Sequence, residues 1–189
     1  MIPFIKKHWQ NLLIVIFIGL LVIPQTSIPI KVFFQRLVMS TPSEMDISER
    51  KKLSGYDWQL TETDGSVVQF SNSKDKVILL NLWATWCPPC LAELPSMQNL
   101  YNIYGDKVDF YFVSSEDAET VRKFMEKKGY DFPVYLETRR PPTELQVTII
   151  PTTFLIDRNG EIVIEKTGAA RWDSDEVRSS IDELLQSDQ

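Results

Sequence analysis

Residues 77–90 read V-I-L-L-N-L-W-A-T-W-C-P-P-C, and they limit the fold more than any other stretch. Residues 77–83 form a short, nearly continuous apolar run with β-branched residues and turn-rich flanks. Such a run predicts a central strand buried on both faces. It leads into Pro88 and Pro89, set between Cys87 and Cys90. Proline suits the first turn of a helix, because the N–H it lacks would be unpaired there anyway. The chain therefore passes from a buried strand to a helix, with both of its cysteines at the junction.

That placement has a chemical consequence. A Cys87 thiolate at the helix cap feels the positive end of the helix, which lowers its pKa and makes it a nucleophile near neutral pH. Cys90 sits one turn deeper, within disulfide reach and less exposed. The pair suits exchange chemistry: Cys87 attacks, and Cys90 resolves the mixed disulfide. Zinc wants four ligands, and beyond the two cysteines the chain offers one histidine, His8, so no metal site is expected. A purely structural disulfide would close too short a loop to constrain the unfolded chain much.

The flanking chain predicts a mixed sheet with helices on both faces. Residues 57–70 alternate in polarity around Asp64-Gly65, an N-terminal β-hairpin signal. A helix is expected from the prolines to about Tyr104, with Leu91, Leu94, Gln98 and Tyr101 on one face and a kink at Pro95. A second buried strand follows at 108–113. An amphipathic helix at 117–128 ends at Gly129. Strands are expected at 132–136, 152–156 and 161–165, the last two joined at Asp157-Arg158-Asn159-Gly160. A final helix spans 172–185, capped by Asp173 or Ser174.

Charge divides the chain. Up to Met39 there are four basic residues (Lys6, Lys7, Lys31, Arg36) and no acids, which leaves 16 basic against 26 acidic residues beyond it, a net of −10. An acidic domain repels polyanions, so nucleic acid is excluded as a partner. Lys6, Lys7 and His8 precede an apolar run at 12–23 that extends, with interruptions, to Ile30. As a helix it is long enough for roughly 30 Å of hydrocarbon. The expectation is an uncleaved single-pass transmembrane anchor within 1–39, its N-terminus inside. The alternative is a signal peptide with an atypical cleavage site, since no Ala-x-Ala follows. Residues 40–53 are polar and read as a linker, and 54–189 as the catalytic domain.

W-A-T-W-C-P-P-C-L-A-E-L-P at 83–95, I-I-P-T-T-F-L-I-D-R-N-G-E-I-V at 149–163 and G-A-A-R-W-D-S-D-E-V at 168–177 together resemble the thioredoxin superfamily. Within it, they resemble the membrane-anchored TlpA/ResA-type thiol–disulfide oxidoreductases of bacteria. The likeness covers about residue 54 to the end. It implies a thioredoxin-like α/β fold, a central mixed β-sheet flanked by helices, and a redox-active Cys87–Cys90 disulfide with no cofactor. It implies that Pro151 is a cis-proline facing the cysteines, and that Ile150 before it offers backbone groups to an extended client. Glu93 matches an active-site glutamate of the subfamily. Its spacing from Cys90 also makes the two neighbours on one helix face, so it either accepts the Cys90 proton or is a helix-start acid placed by the dipole. Asn81 stands where thioredoxin has a buried aspartate, and Trp83 and Trp86 are expected to wall the site.

The resemblance further implies a catalytic domain outside the cytoplasmic membrane. There it would reduce protein disulfides of the cytochrome c maturation or copper-site assembly type, with electrons from a membrane thiol-transfer reductant. Pro88 and Pro89 leave few amide donors for the Cys87 sulfur, which favours a reducing couple. Two other readings stand beside this one: a disulfide oxidant or isomerase, and a Cu(I)-binding module. The 137–144 stretch, E-T-R-R-P-P-T-E, is expected as a loop near Pro151, either client-selecting or simply solvated.

Overall fold

A computed structural model describes residues 24–186, together with Trp9, 12–14 and Gly19. Helix α1 (Pro24–Val38) comes first. Strands β1 (Gln59–Glu62) and β2 (Val67–Gln69) form the expected hairpin, with Gly65 at φ +94° in its turn. Then come β3 (Ile78–Leu82), α2 (Pro88–Tyr104), β4 (Asp109–Ser114), α3 (Ala118–Lys128) and β5 (Val134–Glu137). The chain closes with β6 (Thr152–Ile156), β7 (Ile162–Thr167) and α4 (Asp175–Gln186). The seven strands form one mixed sheet in the order β2-β1-β5-β4-β3-β6-β7. β3 pairs in parallel with β4 and antiparallel with β6, so it is an interior strand with all five residues buried, as its apolar run requires.

The helices do not divide between the two faces as expected. β3–α2–β4 and β4–α3–β5 are successive parallel crossovers that step in the same direction along the sheet. Right-handed crossovers of that kind place their helices on the same face. Leu94 and Met97 of α2, Val121 of α3 and Val177 and Ile181 of α4 accordingly share one core with Leu79 and Phe112. The opposite face is covered mainly by the hairpin and its flanks. Trp58 and Phe70 pack there, with Phe70 edge-on to Tyr111 at a centroid distance of 5.0 Å, over Leu80, Phe154 and Ile156. Burying such a side chain fully contributes roughly 1.5–3 kcal/mol.

Two further expectations are revised. The inner stripe of α2 is Cys90, Glu93, Leu94, Met97 and Leu100, while Leu91, Gln98 and Tyr101 are only half-buried. The stripe is displaced because α2 meets the sheet on one side and α1 on another, where Arg36 Nε donates to the Ala92 carbonyl at 3.3 Å. Residues 40–53, read as a linker, lie along the outer edge of β7. The Met45 N–H donates to Val163 O (2.8 Å), Ile162 N–H to Lys51 O (2.8 Å) and Leu53 N–H to Gly160 O (2.9 Å). Ser40 O accepts from the Arg171 N–H at 3.0 Å. An open edge strand exposes unpaired backbone groups, and this segment occupies those of β7. Among the described residues no helix is long and apolar enough to cross a membrane; most of the expected anchor lies outside them.

Candidate active site

The site forms where β3 gives way to α2. Cys87 is the N-cap of α2, with extended backbone (φ −88°, ψ 106°), and Pro88 and Pro89 fill the first helical positions. Cys87 and Cys90 are joined in a disulfide with their Cα atoms 5.3 Å apart. The Cys90 N–H donates to Cys87 Sγ at 3.3 Å, so one backbone donor does reach the sulfur that Pro88 and Pro89 leave unserved. Cys90 is fully buried and Cys87 is 3% exposed.

The approach to Cys87 is pinned from a neighbouring strand end. Glu116, just past β4, accepts from the Thr85 N–H at 2.7 Å and from Thr85 Oγ1 at 2.6 Å. Ser114 Oγ donates to the same carboxylate at 3.1 Å. This clamp escaped the sequence reading, because nothing in the Glu116 environment marks it before the strand order is known.

Opposite the cysteines the Ile150–Pro151 peptide is cis. The Ile150 carbonyl oxygen lies 3.8 Å from Cys87 Sγ. Trp86, 64% exposed, and Ile150 line a groove of about 430 Å³ that continues past Trp83 to Glu137, Arg140 and Leu145. The 137–144 loop therefore does border the site.

Glu93 is fully buried on α2, one turn beyond Cys90. Its Oε1 accepts from Asn81 Nδ2 at 2.8 Å, and its Oε2 accepts from the Ala170 N–H and Trp172 Nε1, each at 3.2 Å. Asn81 Nδ2 also donates to Thr153 Oγ1 at 2.7 Å, across the β3–β6 pair. Loss of hydration raises the carboxyl pKa from 4.5 to about 8, although all three donors act the other way. Burial thus favours the protonated form of Glu93 up to about pH 8. Thr153, Ala170 and Trp172 were not singled out in the sequence, yet all three fall inside the blocks at 149–163 and 168–177. Trp83 is a buried wall residue, its ring 5.5 Å from Phe124.

A disulfide at a helix cap, a cis-proline loop opposite it and a sheet with a parallel centre define a thioredoxin-like fold. The chain belongs to the Redoxin family, whose profile matches residues 46–185. It is similar to the thiol-disulfide oxidoreductase ResA of Bacillus subtilis, at 38% identity over 112 residues, covering 58% of this chain and 63% of ResA. The chain thus aligns with less than two thirds of that relative's length. The thioredoxin-like protein YneN of the same organism is 32% identical over 126 residues, covering 65% of this chain and 74% of YneN. Among solved structures, StoA of B. subtilis shares 26% identity at a TM-score of 0.52, covering 68% of this chain and 96% of StoA. A Chlorobium tepidum protein provisionally named thiol:disulfide interchange protein DsbE shares 27% identity at a TM-score of 0.60, covering 71% of this chain and 98% of that one.

Proposed function

We propose that this chain is a membrane-tethered thiol–disulfide oxidoreductase that reduces specific protein disulfides outside the cytoplasm. One observation carries the reading: an N-capping Cys87 is bonded to Cys90, and one turn on, the buried Glu93 carboxyl is held by Asn81, Ala170 and Trp172. In the reduced form, Cys87 thiolate attacks one sulfur of the client disulfide. That S–S bond breaks, and the departing client thiolate takes a proton from water. Glu93, in its ionised form, takes the proton of Cys90, and the resulting Cys90 thiolate attacks Cys87 Sγ. The Cys87–client bond breaks as the Cys87–Cys90 bond forms, and the second client sulfur leaves as a thiolate that takes the proton back from Glu93. Two electrons have passed to the client, and a membrane thiol reductant restores the pair.

The groove from Trp86 past Ile150 to Arg140 supports an extended polypeptide as client, its backbone paired at Ile150 and a side chain lodged beside Trp83. Clients of the cytochrome c maturation or copper-site assembly type fit a tethered reductase, because their cysteines must be reduced in an oxidising compartment. The test is trapping with Cys90→Ser. Cys87 should accumulate in a mixed disulfide with a discrete protein, and titration against glutathione should give a reducing potential. Accumulation of small thiols alone, or a potential as high as that of a disulfide-forming oxidant, overturns the reading.

A further inference from the structure

Helix α1 continues the apolar N-terminal run to Val38, yet its outer face is not covered by the domain. Phe33, Phe34, Leu37 and Val38 are 60–75% exposed. Phe34, Leu37 and Val38 form, with Pro88 and Pro89, an apolar groove of about 700 Å³ beside the disulfide. On its other flank α1 meets the end of α3, where Val32 and Phe33 border a second groove with Leu91, Phe124, Lys128 and Tyr130. The charged residues lining these two grooves are Lys31, Arg36 and Lys128, and α1 contains no acid.

The path of the chain after α1 removes any slack. Residues 40–53 are hydrogen-bonded along β7, starting with Ser40 on Arg171. The neighbouring Ala170 N–H is the one that binds Glu93. The chain therefore leaves the domain within one residue of the active-site cluster. A tether with no free length holds the cysteine face close to wherever the N-terminal segment is held.

We propose that the face made by α1, the Cys87–Cys90 turn and the C-terminal end of α3 rests on the surface of an anionic phospholipid bilayer. This rests on the membrane-tethered reading above. The occupant follows from the pattern: aromatic and aliphatic side chains rimmed by Lys and Arg fit the boundary between acyl chains and headgroups. The remaining acidic surface of the domain, which anionic lipid repels, turns outward. The disulfide then works at the membrane boundary and not at the end of a swinging arm.

The experiment uses the full chain in vesicles of phosphatidylcholine and phosphatidylglycerol. Cys87→Ser and Cys90→Ser clear the background, and a nitroxide is placed at Phe34→Cys, Lys128→Cys, Asp175→Cys or Ile14→Cys. Labels at 34 and 128 should collide several-fold more with lipid-dissolved oxygen, relative to a water-soluble nickel chelate, than the label at 175 on α4. If they match position 175 while position 14 lies in hydrocarbon, the docking is wrong and the anchor stands. If position 14 is itself in water, the anchor reading falls and the docking with it. If 34 and 128 are shielded from both relaxers, protein and not lipid covers the face, and the proposal fails. Lys128→Trp keeps both cysteines and provides a second probe: its added emission should be quenched by brominated lipid, and unquenched emission overturns the docking.

Discussion

Glu93 couples folding to chemistry through one proton. In the unfolded chain its carboxyl ionises near 4.5, whereas burial in the fold moves that to about 8. Between these values the folded state holds a proton that the unfolded state has lost. Its contribution to stability is therefore full below about pH 4.5 and is lost as pH rises through about 8. Glu93→Gln keeps a hydrogen-bonding group of similar size without the proton. Denaturant titrations from acid to mildly alkaline pH should show that the variant's stability relative to the parent rises across this window. In the proposed mechanism the same variant loses the acceptor for the Cys90 proton. The second exchange step should slow on the order of 100-fold, and mixed disulfide should build up in stopped-flow quenching. Pro88 acts on the other sulfur. Cys87 Sγ has the Cys90 N–H as a backbone donor. Pro88→Gly restores an amide at the first helical position, and one such hydrogen bond to a thiolate is worth roughly 30 mV, or ~1.4 kcal/mol. The potential measured against glutathione should rise by about that amount.

At the level of elements, period and turn chemistry predict where each strand and helix lies, and handedness decides where the helices go. The hairpin at Asp64-Gly65 and the Gly129 stop of α3 were legible because each depends on neighbouring residues. The face on which α3 packs was not, because it depends on β5 pairing beyond β4. The 40–53 segment misled for a related reason. Its sequence is polar, and its order comes from backbone hydrogen bonds to β7 that any sequence without an ill-placed proline can make. A chain beginning at Ser54 should therefore differ from one beginning at Ser40. It exposes the β7 edge and part of the core over which Met45 and Leu53 pack. Net of the ordering entropy regained, the loss in unfolding free energy should be about 2 kcal/mol. Sedimentation should also show self-association through the open edge. Equal stability and a monomeric shorter chain would mean that the segment merely lies on the sheet.

For the whole molecule, the site was legible where chemistry is written in adjacent residues and illegible where the fold assembles it. Cys87, Cys90 and Pro151 stand in sequence blocks whose local geometry is self-contained. The donors to Glu93 come from β3 and from the loop after β7, and the clamp on Thr85 from beyond β4, so only the assembled sheet brings them together. The same assembly joins the N-terminal segment to the active site, because Ser40 and Glu93 are bound to adjacent residues, Arg171 and Ala170. On the membrane-tethered reading proposed above, tether length is then a functional variable that can be changed without touching either cysteine. A flexible Gly/Ser insertion between Met39 and Ser40 leaves the domain and its edge strap intact and lengthens the link to α1, which then holds the domain through its contact with α2. Insulin reduction by the detergent-solubilised chain should stay at the parent rate. In membranes that supply a thiol reductant, re-reduction of the Cys87–Cys90 disulfide should slow several-fold. A flexible linker dilutes the effective concentration of a site held beside its partner, and longer insertions dilute it further. Alkylation trapping of the redox state over time reads this directly. A re-reduction rate indifferent to insertion length would show that electrons reach this domain without the close approach to the membrane proposed above.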